Sequence, residues 1–399
     1  MSVQDFHDKV IGLQPVDLLQ YIEDIPEFKL LDACAQSAPH HEEGSVLVHS
    51  SMAAQIALQL MSAEQVRKED QVLLYLAAIL HDIGKPKTYA IHPRKGTITA
   101  YGHDDAGVPL ANEFLKKYFP ELVYKQREVV LRLIEWHMRP RIWMKEGTTV
   151  EKMRILSLAV NTKLLYLLSQ ADTLGRTAAD MKSGMMSLEL FKQNCEDLGL
   201  WDRPYRVPLA THLDNASYSL ARWNILMNGA PENEDTYQEA LNLMVQPPKP
   251  NFQLMLLVGA PGSGKSTVRE QLVKQYPNIK VISMDDRRKE LTGDANNQSR
   301  NNEIFGWQSK ELHKAMEARQ NTLIDATNTS RKLRKVLWTI AREHGALCSA
   351  IYFDIPLDVL HERNRAREKR VPDSVVVRFY ETMQSVAPWE ADLIQIIDK

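Results

Sequence analysis

The segment Gly259-Ala-Pro-Gly-Ser-Gly-Lys-Ser266 constrains the fold more than any other stretch of the chain. A Gly-x-x-x-x-Gly-Lys-Ser loop needs glycines because backbone N–H groups must curl around a phosphate that side chains would obstruct. It also needs a strand before it and a helix after it, and the sequence supplies both. Lys265 is placed to reach the β and γ phosphates and Ser266 to hold Mg²⁺, while the helix N-terminus attracts the anion. Gly259, Ala260, Pro261, Gly262, Ser263, Gly264 and Thr267 complete the expected nucleotide-binding loop. A chance Gly-rich turn would lack this flanking context.

Around the loop the pattern is that of a parallel α/β sheet. Phe252–Val258, Val281–Met284, Thr322–Ile324 and Leu347–Phe353 are short apolar runs suited to strands buried on both faces. Helical segments alternate with them, such as Ser330 to His344 closed by Gly345. The run Gln246-Pro-Pro-Lys-Pro250 stiffens the chain just before this pattern begins. The sequence therefore divides into residues 1–187, a helical connection with a Pro-rich linker over 188–248, and a phosphate-binding domain over 249–399.

The first part reads as all-α. His49 to Met61, Val72 to Leu80, Gln126 to Met138 and Asn161 to Asp172 carry apolar residues at helical spacing. The second of these is expected to end at Gly84 and Pro86. Val72 to Leu80 is the longest apolar run and is far too short to span a bilayer. The first residues show no basic segment followed by an apolar core, and Cys34, Cys195 and Cys348 are odd in number and far apart. A cytoplasmic enzyme with no membrane association is the expectation. Residues 249–399 hold 24 Lys and Arg against 19 Asp and Glu, leaving +5, and the remaining 25 against 32 leave −7. A basic C-terminal half fits a polyanionic partner.

Two sets of side chains carry chemistry. Near the loop, Asp285-Asp286-Arg287-Arg288 follows the second strand, where a carboxylate can accept a proton from an acceptor hydroxyl. The competing reading makes Asp285 an ordinary helix N-cap. Asp325 ends an apolar strand and suits Mg²⁺ or its water. Arg363 and Arg367 stand four residues apart, expected on one helical face, where two guanidiniums can clamp a transferring phosphoryl group. In the first part, His49, His81, Asp82, His103, His137 and Asp172 fall near helix ends or in loops. Imidazole with carboxylate suits Mn, Ni, Co, Fe or Zn, and Asp82 could bridge two ions, which would activate a water and stabilise a departing oxyanion. A buried carboxylate without a cation is costly, which favours ligation over a set of satisfied core side chains.

The run of Gly-x-Pro-Gly-Ser-Gly-Lys-Ser-Thr (259–267), Asp-Asp-x-Arg (285–288), Asp-x-x-Asn (325–328), Arg-Asn-x-x-Arg (363–367) and Val-Pro (371–372) resembles the phage-type 5′-OH polynucleotide kinases. The resemblance implies Asp285 as general base, Arg288 on the acceptor's phosphate, and Arg363 and Arg367 in a lid over the nucleotide. Asp325-Ala-Thr-Asn328 departs slightly from the pattern. The order His49, His81-Asp82, Asp172 resembles the HD phosphohydrolase superfamily, with His81-Asp-Ile-Gly-Lys85 as its signature and those four residues as the first-metal set. His103 and His137 resemble the additional histidines of two-metal members. Lys85 would contact the scissile phosphate, with His41, Arg139 and Arg141 as further substrate contacts.

Together the halves resemble bacterial HD-Pnk end-healing enzymes. That resemblance implies hydrolysis of 2′,3′-cyclic phosphate and 2′/3′-monophosphate ends, and transfer of the γ-phosphate of ATP or another NTP, with Mg²⁺, to a 5′-OH. RNA or DNA strand ends would be the substrates, and a polynucleotide ligase the functional partner. The competing reading is a small-metabolite kinase joined to a nucleotide-hydrolysing or regulatory HD domain.

Overall fold

A computed structural model describes residues 2–36, 44–94, 96–176, 181–204, 252–294, 299–367, 370–387 and 390–398. It resolves two compact units, 1–206 and 207–399.

The first unit is helical. Helices α1 (Val3–Ile11), α2 (Pro26–Asp32), α3 (Val46–Ala63) and α4 (Lys68–Leu80) precede a short α5 (Lys85–Thr88) and a two-rung hairpin, β1 (Ala90–Ile91) with β2 (Ile98–Thr99). Then come α6 (His103–Tyr118), α7 (Tyr124–Trp136), α8 (Arg139–Glu146), α9 (Val150–Ala159), α10 (Thr162–Leu174) and α11 (Met181–Asp197). Their starts follow local chemistry. Ser45 accepts a hydrogen bond from the Val48 amide, and Asn161 accepts one from the Leu164 amide, which satisfies a donor left orphaned at the first turn of α3 and α10. α3 is long and apolar enough to cross a membrane by composition. It packs instead against α4 and α10 and buries Val46, Leu47, Ala54 and Ala57 in the core.

Two expectations change here. Pro86 does not end a helix: it sits in the first turn of α5, where its missing N–H costs nothing. The 187/188 division also falls inside α11, which packs on α8 and α10 and buries Leu188, Phe191 and Cys195 in the first core. Residues 188–204 thus belong with the first unit. The Pro-rich linker lies outside the described residues.

The second unit holds a five-stranded, all-parallel sheet in the order β4-β5-β3-β6-β7. The strands are β3 (Gln253–Val258), β4 (Lys280–Ser283), β5 (Thr322–Asp325), β6 (Leu347–Phe353) and β7 (Leu393–Ile397). Helices α12 (Lys265–Gln275), α13 (Met284–Thr292), α14 (Asn301–Glu317), α15 (Arg331–Glu343), α16 (Leu357–Arg365) and α17 (Asp373–Glu381) link them. Strands β3 and β6 are almost wholly buried, as parallel strands covered on both faces must be. β7, missed from sequence, is an edge strand whose residues are half-buried or exposed, so it lacks the continuous apolar run of its neighbours.

A shared carboxylate and an uncapped aspartate form the candidate sites

The helical unit brings His49, His81, Asp82, His103, His137 and Asp172 together, all buried. His81 caps the C-terminus of α4 and His137 that of α7. Each places Nδ1 against a carbonyl three residues back: Ala78 at 2.9 Å and Ile134 at 2.7 Å. Those carbonyls belong to the last helical turn, where no amide within the helix can reach them. His103 does the same with Ala100, at 2.8 Å, and His49 with Gly175, at 3.2 Å. A carbonyl can only accept, so each ring carries its proton on Nδ1 and turns Nε2 inward.

The inward nitrogens meet in two pairs. His49 Nε2 lies 3.1 Å from His81 Nε2, and His103 Nε2 lies 3.2 Å from His137 Nε2. Neutral rings in this tautomer oppose lone pair to lone pair, which is unfavourable unless a cation lies between them. Asp82 stands between the pairs. Its Oδ2 is 3.3 Å from His81 Nε2 and 3.5 Å from His49 Nε2, while its Oδ1 is 3.2 Å from His103 Nε2. Two ligand clusters follow, His49-His81-Asp82 and Asp82-His103-His137, sharing one carboxylate. This donor set fits two divalent cations bridged by Asp82. Gly84 makes the approach possible, since a Cβ there would lie 2.1 Å from the His103 carbonyl oxygen.

Charge supports the same picture. Burial raises the Asp82 carboxyl, but Lys85, His81 and His103 outweigh it and hold it well below the usual range. Burial, reinforced by His103 and His81, pushes His137 down to about 3, keeping it a neutral ligand. At His103 burial pulls downward, yet the hydrogen bond to Asp82 prevails and raises it. Asp172 Oδ1 lies 3.1 Å from His49 Nε2, beside the first cluster. It is also held by Arg176 at 2.5 Å, and its Oδ2 by Arg141 at 2.9 Å. Those arginines overcome the burial that would raise its carboxyl and lower it well below the ordinary value.

Lys85, only 13% exposed, places Nζ 2.6 Å from Asp82 Oδ2 and donates to Gln36 Oε1 at 2.6 Å. Arg139 is farther out, 3.8 Å from Asp104. His41 lies outside the described residues. Sequence reasoning missed Arg176 and Gln36. Arg176 had a usable signal, since it follows Asp172 by one helical turn; Gln36 had none.

In the second unit the loop leaves β3 at Val258 and enters α12 at Lys265, with Gly262 and Gly264 at φ +88° and +101°. Lys265 Nζ donates to the carbonyls of Gly259 (2.9 Å) and Ala260 (2.8 Å), and burial pushes it down to about 8. Ser266 and Thr267 are exposed in the first turn of α12. Asp285 is not a cap: Ser283 caps α13, its Oγ accepting from the Asp286 amide. The Asp285 carboxylate therefore stays out of the cap, 71% exposed and paired with Arg288, which also reaches Asn301 Oδ1 at 3.2 Å. The surrounding protein displaces enough water to raise the Asp285 carboxyl, Arg288 opposing and Asp325 reinforcing.

Asp325 already has one oxygen, Oδ2, engaged by a guanidinium. Arg269 spans it and Asp286, at 2.7 and 2.8 Å, a link absent from the sequence reading. Arg363 Nη1 lies 3.4 Å from the Ser263 carbonyl at the loop. Arg367 does not share its helical face. α16 ends at Arg365, because the buried Asn364 side chain bonds both the amide and the carbonyl of Val371 and draws the chain back. Arg367 is exposed beyond the helix, yet its charge still depresses Lys265.

Residues 46–177 match the HD domain and residues 254–387 match an AAA domain. The chain pairs an HD domain with a P-loop domain. Together the two domains support an enzyme. An A-adding tRNA nucleotidyltransferase of Deinococcus radiodurans is 31% identical over 27% of the chain and 23% of its own length. An L-seryl-tRNA(Sec) kinase of Methanococcus maripaludis is 28% identical over 32% of the chain and 51% of its own length. The chain thus spans between about a quarter and a half of these two relatives. A solved Pnkp1/Rnl/Hen1 RNA repair complex matches 33% of the chain and 43% of its own, at 28% identity and a TM-score of 0.31.

Proposed function

We propose that this chain heals broken polynucleotide ends. Its HD unit hydrolyses 2′,3′-cyclic phosphate and 2′/3′-monophosphate termini, and its P-loop unit transfers an NTP γ-phosphate to a 5′-OH. The observation that carries this reading is the pairing, in one chain, of two His clusters sharing Asp82 with an Asp285 that Ser283 has freed from capping. A nuclease break commonly leaves a phosphate on one side and a 5′-OH on the other, and ligation needs both reversed. The tRNA substrates named for both curated relatives favour RNA over a free metabolite.

In the HD unit, His49, His81, Asp82 and Asp172 would hold one ion and Asp82, His103 and His137 a second. Bound cations supply Lewis acidity, polarising the phosphoryl group and acidifying water. Lys85 and Arg141 add positive charge beside the cluster, where a phosphate oxyanion needs it. In the P-loop unit, backbone amides of Gly259–Ser266 and the Lys265 ammonium would cradle the phosphates, and Ser266 and Asp325 would hold Mg²⁺. Arg363 and Arg367 approach from the side of α16. Asp285 accepts the hydroxyl proton, and Arg288 binds the acceptor's phosphate.

A single RNA bearing 5′-OH and 2′,3′-cyclic phosphate ends, incubated with NTP and a series of divalent cations, tests both halves. Asp285→Ala should abolish 5′ phosphorylation and spare 3′-end hydrolysis; His81→Ala or Asp82→Ala should do the converse. An untouched cyclic end with every cation sinks the HD half. Preference for free nucleosides over the oligonucleotide sinks the kinase half.

A further inference from the structure

Between Asp82 and His103, shared carboxylate and second-cluster ligand, the chain leaves the core and returns through α5 and the β1–β2 hairpin. Residues 84–103 contain Lys85, Lys87, Arg94 and Lys95 and no Asp or Glu, although residues 1–248 as a whole are acidic. Lys87 and Arg94 are exposed. The same excursion exposes three large apolar side chains: Tyr101 at 81%, Ile91 at 63% and Tyr89 at 43%. Tyr101 is the most exposed large apolar side chain among the described residues, so both faces of its ring are open to a partner. Its backbone is held on both sides. The Ala100 carbonyl accepts from His103 Nδ1 at 2.8 Å, and Gly102, at φ +76°, turns the chain into α6. Two Cα–Cα steps keep the Tyr101 Cα within about 7.6 Å of the His103 Cα.

An exposed aromatic ring on a held backbone beside a phosphate-processing centre, on an excursion that carries cations and no acid before Asp104, is a combination that holds single-stranded nucleic acid. Bases stack on the ring while cations follow the backbone. We infer that Tyr101 is the stacking platform for a nucleobase at the 3′ end of the strand, with Lys87 and Arg94 binding phosphates behind it. The inference rests on the end-healing reading of the HD centre. It also gives that centre a means of preferring a polynucleotide end to a free phosphate ester.

The test is fluorescence anisotropy on the metal-free full chain, with a short oligonucleotide carrying 5′-fluorescein, which blocks the kinase site, and a 3′-phosphate. Tyr101→Ala should weaken binding about tenfold and Tyr101→Phe by less than about twofold. Removing the terminal base should make the unsubstituted protein bind as weakly as Tyr101→Ala. Arg94→Ala should lower the slope of log affinity against log salt by about one. Equal binding by the Tyr101→Ala and unsubstituted proteins overturns the platform, as does a loss in Tyr101→Phe as large as in Tyr101→Ala. Tyr101-dependent capture by phosphatidylserine vesicles, with oligonucleotide binding unchanged, also overturns it. The two readings fail separately. Tyr101-dependent binding without hydrolysis of the end counts against the phosphoesterase and for the platform; hydrolysis with Tyr101-independent binding does the reverse.

Discussion

Asp172→Asn should loosen the HD unit even when no metal is bound. Asp172 is 2% exposed and carries two guanidinium contacts, Arg176 at 2.5 Å and Arg141 at 2.9 Å, both from side chains that are themselves mostly buried. The substitution keeps the shape and removes the charge, so two largely desolvated cations lose their anion. Breaking a buried pair in this way costs about 3–5 kcal/mol. The assay is hydrogen exchange of the α10 amides in the chelator-treated full chain, which isolates this unit from the P-loop unit. Opening should become roughly 10²-fold to several 10³-fold more frequent. Arg176→Met should cost less, because Arg141 still pairs with the carboxylate. The sign with pH is fixed by the direction of the shift. The Asp172 carboxyl is held below its ordinary 3.8, so its contribution is full above that value and is lost as pH falls through the lower folded value. Exchange in the two proteins should therefore differ by a constant factor between about pH 5 and about pH 8, and converge only in stronger acid. A change under about threefold at neutral pH would refute the claim that this carboxylate holds α10 and α8 together.

Three further outcomes follow from the geometry. Metal content of the loaded protein, read by mass spectrometry, should fall from about two ions per chain to about one in His137→Ala and toward none in Asp82→Ala; equal losses would deny that Asp82 is shared. Arg269→Met should cut kcat for phosphorylation about tenfold or more with little change in KM for NTP, because Arg269 aligns Asp325 and Asp286 without touching the loop; a purely KM effect would count against it. Lys265, pushed down to about 8 by burial, should take up about half a proton when nucleotide binds at pH 8 and almost none at pH 6, since phosphate charge raises it; a binding enthalpy independent of buffer at pH 8 would contradict this.

The elements legible from sequence are those whose pattern is driven by burial on known faces. β6 was expected over Leu347–Phe353 and has those bounds, because it is the strand between β3 and β7 and is covered on both sides. β7 was not expected, because an edge strand with Leu393 exposed and Gln395 within it has no such run. The β1–β2 hairpin was invisible for a related reason: two rungs of exposed or half-buried residues are too few to show a period of two. The helix carrying Arg363 was read too long, because what ends it is a side-chain bond from Asn364 to Val371, seven residues on, which no local propensity encodes.

The grouping of the candidate metal ligands was more legible than the contacts around the P-loop, and the reason is physical. Three of its four histidines find their carbonyl three residues back, at Ala78, Ala100 and Ile134, so the tautomer that turns Nε2 inward is fixed by local chain geometry. A histidine just past the end of an apolar helix carries that information in sequence. The P-loop side instead depends on contacts between distant elements. Arg269 meets Asp325 across 56 residues and Arg363 meets Ser263 across 100, so neither partner could be named from spacing. Asp285 sits between the two cases. Whether it caps α13 is decided by its neighbour Ser283, which takes the cap through the Asp286 amide. Ser and Asp are almost equally good caps, so sequence leaves the choice open. The strand-to-helix turn resolves it, because Ser283 is the last residue of β4 in the extended backbone that a cap requires, whereas Asp285 is already helical.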